Sequence, residues 1–500
     1  MPQAAPSLPP IADEHLDVLV VGAGLSGIDA AYRIQTGSPD RRFAVFEARE
    51  AIGGTWDLFR YPGIRSDSDM TTLGFPFHPW REDRAIAAGG DISSYIRQTA
   101  QHYGLDRHVR FRHRVVAANW SSEDAAWTVD YEVEGRPGRL TCGFLFFCSG
   151  YYDYAEGHAP RWPGMDRFTG QVVHPQFWPE GLDVARRRIV VIGSGATAVT
   201  LVPALVAQGA AHVTMLQRSP SYIVSVPGMD RRGRALRKWL PRRVADAAIR
   251  WKNIATSIAA YTIARRFPAQ FKRMIARDQQ RLLGPDFDMA HLTPRYQPWD
   301  QRLCLVPDND LFEALKSGAA AIVTDTVERF TPDGLRLVSG ATLPADLVVT
   351  ATGLKLRMLG GATLSVDGVA VQPGDRMLYK GALLEGVPNF AFAVGYTNAS
   401  WTLKCDLTAR FVSRLLNRMR RRGYVSVRAE AGQGVRGDEP MLDLQSGYIE
   451  RAAEMLPRQG RKAPWRVHQN YARDLLAFRT ARLQDGVLRF ETARQKGRAA

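Results

Sequence analysis

Two short loops have the residue types and spacing to hold phosphate. Gly22-Ala23-Gly24-Leu25-Ser26-Gly27 and Gly193-Ser194-Gly195-Ala196-Thr197-Ala198 both read as GxGxxG/A. In such a loop the first glycine permits a tight turn and the second lets the backbone approach a pyrophosphate. The third position, glycine or alanine, lets a helix pack close to a strand, and the helix N-terminus supplies amide donors. A charged residue follows each loop at the same distance: Glu47 stands 20 residues after Gly27, and Arg218 stands 20 residues after Ala198. A carboxylate there accepts from ribose hydroxyls and repels a 2′-phosphate, so the first loop should take FAD or NAD. A guanidinium pairs with a 2′-phosphate, so the second should take NADP, with Ser219 as a further hydroxyl donor. Together they point to electrons passing from NADPH to a bound flavin, a flavin-dependent oxidoreductase.

The electron acceptor is narrowed by elimination. The cysteines are Cys142, Cys148, Cys304 and Cys405, and no pair has CxxC spacing. That argues against a redox-active disulfide or a zinc site, and no metal is expected. Molecular oxygen is the natural alternative. Cys142 and Cys148 read as buried strand cysteines, and so few cysteines fit a reducing cytoplasm.

The elements that must position these loops are legible as alternating apolar runs. Leu16–Val21 is a strand feeding the first loop, Ile28–Ile34 is helical, and Phe43–Phe46 is a strand ending at Glu47. Arg188–Ile192, the second loop, a helix over Ala198–Gln208 and a strand over Val213–Leu216 repeat the pattern. Phe144–Gly150 and Asp346–Gly353 each fit a strand leaving one nucleotide-binding unit for the other. The expected fold is therefore α/β, with two Rossmann-like dinucleotide-binding domains, the NADP domain inserted in the FAD domain. The boundaries expected are 15–150 with 355–490 for FAD and 155–350 for NADP. Residues 1–14 form a Pro/Ala-rich disordered lead without a signal-peptide pattern, and 491–500 form a tail.

Charge is unevenly placed. The chain of 500 residues carries a formal +16, and residues 231–281 alone hold 15 Lys+Arg against 2 Asp+Glu. Val244, Ala248, Trp251, Ile254, Ile258 and Tyr261 recur there at helical spacing, so a basic helical insertion is expected over 228–298. It is open to three readings, a solvated cap, peripheral contact with an anionic membrane surface, or, least favoured, nucleic-acid binding. No nucleic-acid reading motif accompanies it. No apolar run reaches the ~18 residues of a membrane span.

Two longer motifs carry a resemblance. Phe168-x-Gly170-xxx-His174-xxx-Trp178-Pro179 and Gly54-x-Trp56-xxxx-Tyr61-Pro62-Gly63-xxx-Asp67 resemble, in order and spacing, the motifs of type I Baeyer–Villiger monooxygenases. The likeness runs from about Leu16 to Arg489. Segments such as WDQRLCLVP and GYTNASWTLK are similar to a mycobacterial, thioamide-oxidising branch of that family. The resemblance implies a class B flavoprotein monooxygenase using FAD, NADPH and O2. It would convert a small ketone into an ester or lactone through a C4a-peroxyflavin, with sulfides or thioamides as further substrates. By position it implies Arg302 and Asp67 as the catalytic pair. It places Gly54, Thr55, Trp56, Asp57, Arg65, Ser66, Asp67 and Val115 near the flavin, and His174 and Trp178 on the NADP side in an indirect role. The chemistry suits those types: a permanent guanidinium charge favours a peroxide anion and a developing oxyanion, and a carboxylate can hold the guanidinium in place. Trp401 reads as either a mobile lid or core. Two alternatives stay open: a flavin monooxygenase acting on sulfur or nitrogen, and a basic membrane-surface-binding flavoprotein.

Many relatives have a lysine directly before the catalytic arginine, contacting the 2′-phosphate; here the residue is Gln301. More of the NADP selectivity then falls on Arg218. Arg218→Ala should raise the KM for NADPH about tenfold or more, the scale of a lost charge-assisted pair, with flavin content unchanged. Steady-state kinetics and flavin absorbance check this; equal NADPH affinity would refute the assignment.

Overall fold

The computed structural model describes residues 14–442, 444–480 and 482–493. The expected lead, apart from Glu14, and the tail beyond residue 493 lie outside the described residues.

Two sheets organise the chain. The first has nine strands. His15–Val21 lies at its heart, parallel to Phe43–Phe46 on one side and to Arg136–Phe147 on the other. An antiparallel meander of His113–Ser121, Ala126–Val133 and Arg136–Phe147 extends it. Strands Thr363–Val366 and Phe390–Phe392 join from much later in the chain. The second sheet has five strands in the order Ala320–Thr324, His212–Gln217, Arg188–Ile192, Leu347–Thr350, Gln171–Val173, all parallel. Parallel sheets are covered on both faces, so their strands are continuous apolar runs. Side chains alternate across the sheet accordingly: Ile189 and Val191 enter one core, Val190 and Ile192 another. In the first sheet Val18 and Val20 face the helix Leu25–Gly37, while Leu19 and Val21 face the opposite core.

The strand expected over Phe144–Gly150 starts earlier, at Arg136, and stops at Phe147. Cys148–Gly150 turn out of the sheet, and Gly150 has a positive φ of 68°. The chain then crosses as Tyr152–Gly157 and returns as Leu354–Leu356, and these two segments pair antiparallel. The four cysteines are all buried and free.

The insertion is helical: Arg231–Trp239, Arg242–Arg266 and Pro268–Leu283. Of the apolar positions that signalled it, Ile254 is buried but others are not. Ala245, Ile249, Ile254 and Ala264 are buried, whereas Val244 and Trp251 are about half exposed, at 52% and 48%. The reason is that polar bonds seat this helix. Arg250 donates to the carbonyls of Thr71 (2.6 Å) and Gly74 (2.9 Å), and Asn253 donates to Asp69 (2.9 Å). Hydropathy alone does not register such contacts.

The long helix Trp401–Arg422 packs along Leu25–Gly37, with Arg33 donating to Asp406 at 2.8 Å. On its other side Lys404 is buried and ion-paired with Asp474 at 2.8 Å. Asp474 also accepts from the Tyr396 hydroxyl at 2.8 Å. Burial pushes the Lys404 amine below its ordinary pKa, and Asp474 acts in the opposite sense. Removing one member of a buried pair strands the other charge. Asp474→Ala should therefore lower stability by about 3–5 kcal/mol, and Asp474→Leu with Lys404→Met should recover most of it. Urea unfolding midpoints would show this.

Candidate active site

Both glycine loops open on one cavity of about 1120 Å³. At the first loop, Gly22 has a φ of +103°, and a Cβ there would lie 2.7 Å from the Cys148 carbonyl oxygen. A Cβ on Gly27 would meet the Gly22 carbonyl oxygen at 1.7 Å, so the helix can approach the strand only without one. Gly54, with a φ of +57°, brings its backbone against Gly24: a Cβ on Gly54 would lie 3.0 Å from the Gly24 Cα. Two bare stretches of backbone thus face each other at the mouth of a helix N-terminus. Glu47 is buried at the end of its strand and accepts from the amides of Ala23 (2.7 Å) and Arg49 (2.9 Å). Burial raises its pKa, an effect opposed by those amides.

The second loop repeats the design. A Cβ on Gly193 would lie 2.3 Å from the Ala351 carbonyl oxygen, while Gly195 faces open space. Ala198 is fully buried. Arg218 and Ser219 follow the strand His212–Gln217, are exposed and line the cavity. Arg218 has no acidic partner among the described residues, which leaves its guanidinium free for an anion.

Between the loops stands the pair expected from the motifs. The Arg302 Nη2 lies 2.9 Å from the Asp67 Oδ2, each side chain being 33% exposed toward the cavity. Desolvation, the largest single influence, would weaken the arginine's hold on its proton; the Asp67 carboxylate together with Tyr448, Tyr151 and Tyr152 outweighs it, and the pKa is raised. The loop ahead of Arg302 is fastened from two sides: Arg265 donates to the Asp300 carboxylate at 2.7 Å, and the Gln445 amide donates to the Asp300 carbonyl at 2.7 Å. Tyr151, Tyr152 and Tyr448 complete the surround, all three with pKa raised by burial. These tyrosines carried no motif signal. Tyr151 and Tyr152 follow the apolar run of Arg136–Phe147, and Tyr448 arrives from a distant segment.

The other expected site residues divide. Gly22, Gly24, Ser26, Glu47, Gly54, Thr55, Trp56, Arg65, Ser66, Asp67, Val115 and His174 line the cavity, as do Gly193 to Thr197, Arg218, Ser219 and Arg302. Gly27, Asp57, Trp178 and Ala198 do not. Asp57 is buried behind the loop and pairs with Arg49 at 2.7 Å. Trp178 packs on the core of the second sheet. Some lining residues are already engaged. Arg65 is ion-paired with Asp310, tying the first unit to the helix Asp310–Lys316. The Ser26 hydroxyl accepts from the Trp401 indole at 2.9 Å. Trp401 also lies flat on Gly395, where a Cβ would meet its ring at 2.4 Å. In this position it forms part of the cavity wall.

His174 sits at the crossing segments. A Cβ on Gly157 would meet its ring at 2.1 Å, and its Nδ1 accepts from the Gln176 amide at 3.2 Å. Burial lowers its pKa, which favours the neutral ring. Phe168 and Gly170 of the same motif are packing positions: a Cβ on Gly170 would lie 2.6 Å from the Asp346 carbonyl oxygen.

A family model of flavin-binding monooxygenase-like proteins matches residues 16–278. The chain is 52% identical over 478 residues to the FAD-containing monooxygenase EthA of Mycobacterium tuberculosis strain H37Rv, covering 95% of this chain and 98% of that one. It is 46% identical to the probable FAD-binding monooxygenase AlmA of Acinetobacter baylyi, covering 96% and 97%. In fold it is similar to an oxidized steroid monooxygenase bound to NADP, with a TM-score of 0.77, 21% identity, and 96% and 100% of the two chains covered. A cyclohexanone monooxygenase from Rhodococcus sp. Phi1 bound to NADP+ matches with a TM-score of 0.67, 20% identity, and coverage of 84% and 87%. The chain belongs to the flavin-binding monooxygenase family. It is an oxidoreductase, a flavoprotein monooxygenase.

Gly54→Val should separate the two loops, since a branched side chain at positive φ has no room beside Gly24. The purified variant should retain under a tenth of the parent's flavin, read from visible absorbance, while its far-UV circular dichroism is unchanged.

Proposed function

We propose that the protein is an FAD- and NADPH-dependent Baeyer–Villiger monooxygenase. It would insert one oxygen atom of O2 beside the carbonyl of a small apolar ketone, giving an ester or lactone. Residues 15–150 and 355–490 are assigned to FAD and 155–350 to NADP(H). The Asp67–Arg302 pair on the cavity wall between two nucleotide cradles carries this reading.

The residues fit the cofactors. The Gly24–Gly54 backbone cleft and the helix N-terminus at Leu25 suit the FAD pyrophosphate, and Glu47 stands at the strand end where a ribose would lie. Gly195 and the helix starting at Ala196 suit the second pyrophosphate, with Arg218 for a 2′-phosphate. Flavin, once reduced, supplies the activation of dioxygen. The protein's part is position and charge. Arg302 keeps its proton and donates to the carbonyl oxygen as that oxygen becomes anionic under attack. Asp67 fixes the guanidinium, and the bonds to Asp300 hold its loop. Phe59, Leu73 and Trp401 give the cavity an apolar wall suited to a ketone's alkyl arms. A standing positive charge favours nucleophilic attack on a carbonyl over electrophilic transfer to sulfur, so sulfide or thioamide oxidation ranks as a side activity.

Aerobic incubation with NADPH and 2-octanone should form ester in step with NADPH oxidation. Arg302→Ala should lower ester formation by about 100-fold, the scale of a lost oxyanion donor, while hydrogen peroxide rises. If the parent protein yields only hydrogen peroxide with 2-octanone yet oxidises thioanisole to its sulfoxide, the enzyme is a heteroatom monooxygenase.

A further inference from the structure

The helical insertion leaves an unusual surface. Of its 15 Lys and Arg between residues 231 and 281, six are engaged with the body of the protein or with one another. Arg234 and Arg237 pair with Asp83, Lys252 with Asp230, Arg265 with Asp300 and Arg281 with Asp278. Arg250 donates to backbone carbonyls. The other nine, among them Arg231, Arg232, Lys238, Arg242, Arg243 and Arg273, have no acidic partner among the described residues.

Large apolar side chains are exposed on the same three helices and the residue that joins two of them. Trp239 is 85% exposed, and Val244, Trp251, Ile263, Phe267 and Met274 are each 47–55% exposed. On the helix Arg242–Arg266, Val244, Trp251, Ala255 and Ala259 recur at intervals of seven, four and four and are all exposed, so an apolar line runs along its outer face. Beside it, Trp251 meets Tyr471 of the helix Tyr471–Thr480, where Leu476 is 64% exposed. Free cations with protruding Trp, Phe and Met suit an interface that is anionic outside and apolar a few ångströms deeper. A second copy of the chain would bring like charge against like charge. A nucleic acid would match the cations and leave the aliphatic side chains unused. No helix among the described residues is long and apolar enough to cross a membrane, so the contact would lie in the plane of the surface.

We propose that this face docks on a lipid bilayer bearing anionic headgroups. A flank of the same helix packs behind the reaction cavity: Ile254 clusters with Tyr396 and Leu403, and Tyr396 lines the cavity wall. Docking therefore places the helix that backs one cavity wall against the membrane surface, where apolar ligands concentrate.

The test is co-sedimentation of the flavin-loaded protein with phosphatidylglycerol-containing vesicles and with pure phosphatidylcholine vesicles. Affinity for the anionic vesicles should be at least tenfold higher and should fall as salt rises to about 0.5 M, which shortens the screening length. Arg242→Gln with Arg243→Gln, and separately Trp239→Ser with Val244→Ser and Met274→Ser, should each weaken binding several-fold. Unchanged melting temperatures and flavin content would show the variants folded. Brominated lipid should quench the parent's tryptophan emission more than that of Trp239→Phe. Equal affinity for both vesicle types, no sedimentation with either, or tighter binding to duplex DNA than to anionic vesicles would each overturn the proposal. These readouts are independent of the ketone assignment.

Discussion

The antiparallel pairing of Tyr152–Gly157 with Leu354–Leu356 is the constraint on which the site depends. Each glycine loop lies between its own strand and helix. The two crossing segments, with the Arg65–Asp310 and Asp67–Arg302 pairs, hold both cradles open on the same space. The segments are fastened to each other by the His158 amide on the Gly353 carbonyl at 3.2 Å and the Thr352 hydroxyl on the His158 carbonyl at 2.5 Å. His174 fills the gap beside them. In its motif Phe168 and Gly170 pack beside the strand Gln171–Val173, and His174 packs on Gly157 of the crossing strand.

Charge is handled in three ways. Lys404 and Asp474 are buried and paired, Arg302 and Asp67 are paired and open to the cavity, and much of the insertion's charge is unpaired and outward. These placements match their expected energetics. A fully buried ion must be paired, a working ion must be held yet reachable, and surface ions with no partner are free for an external one. Arg265, on the same helix as the outward cations, also holds Asp300 two residues from Arg302. An ion pair thus links the insertion to the loop that carries Arg302.

Local features were legible in the residues. The strand Arg188–Ile192, the strand Phe43–Phe46 and the two loops follow from apolar runs and glycine spacing, and the structure has both strands at those bounds. Other readings needed three dimensions. The seated face of Arg242–Arg266 could not be taken from hydropathy, because Arg250 and Asn253 make the seating bonds. Asp57 and Trp178, near cavity-lining residues in the chain, turn away from the cavity to Arg49 and to a core. Tyr448 reaches the site through a segment with no periodic signal.

By itself the sequence determined the two glycine loops and the residues of opposite charge, Glu47 and Arg218, that follow them, since turn geometry and helix dipoles are properties of a few adjacent residues. It also determined the concentration of charge in residues 231–281. Only the tertiary structure decided that Asp67 and Arg302 meet at 2.9 Å, that three tyrosines surround them, and which side of the basic helix faces outward. Those outcomes depend on packing and hydrogen bonds between segments hundreds of residues apart, for which no local pattern in a single chain supplies the distance.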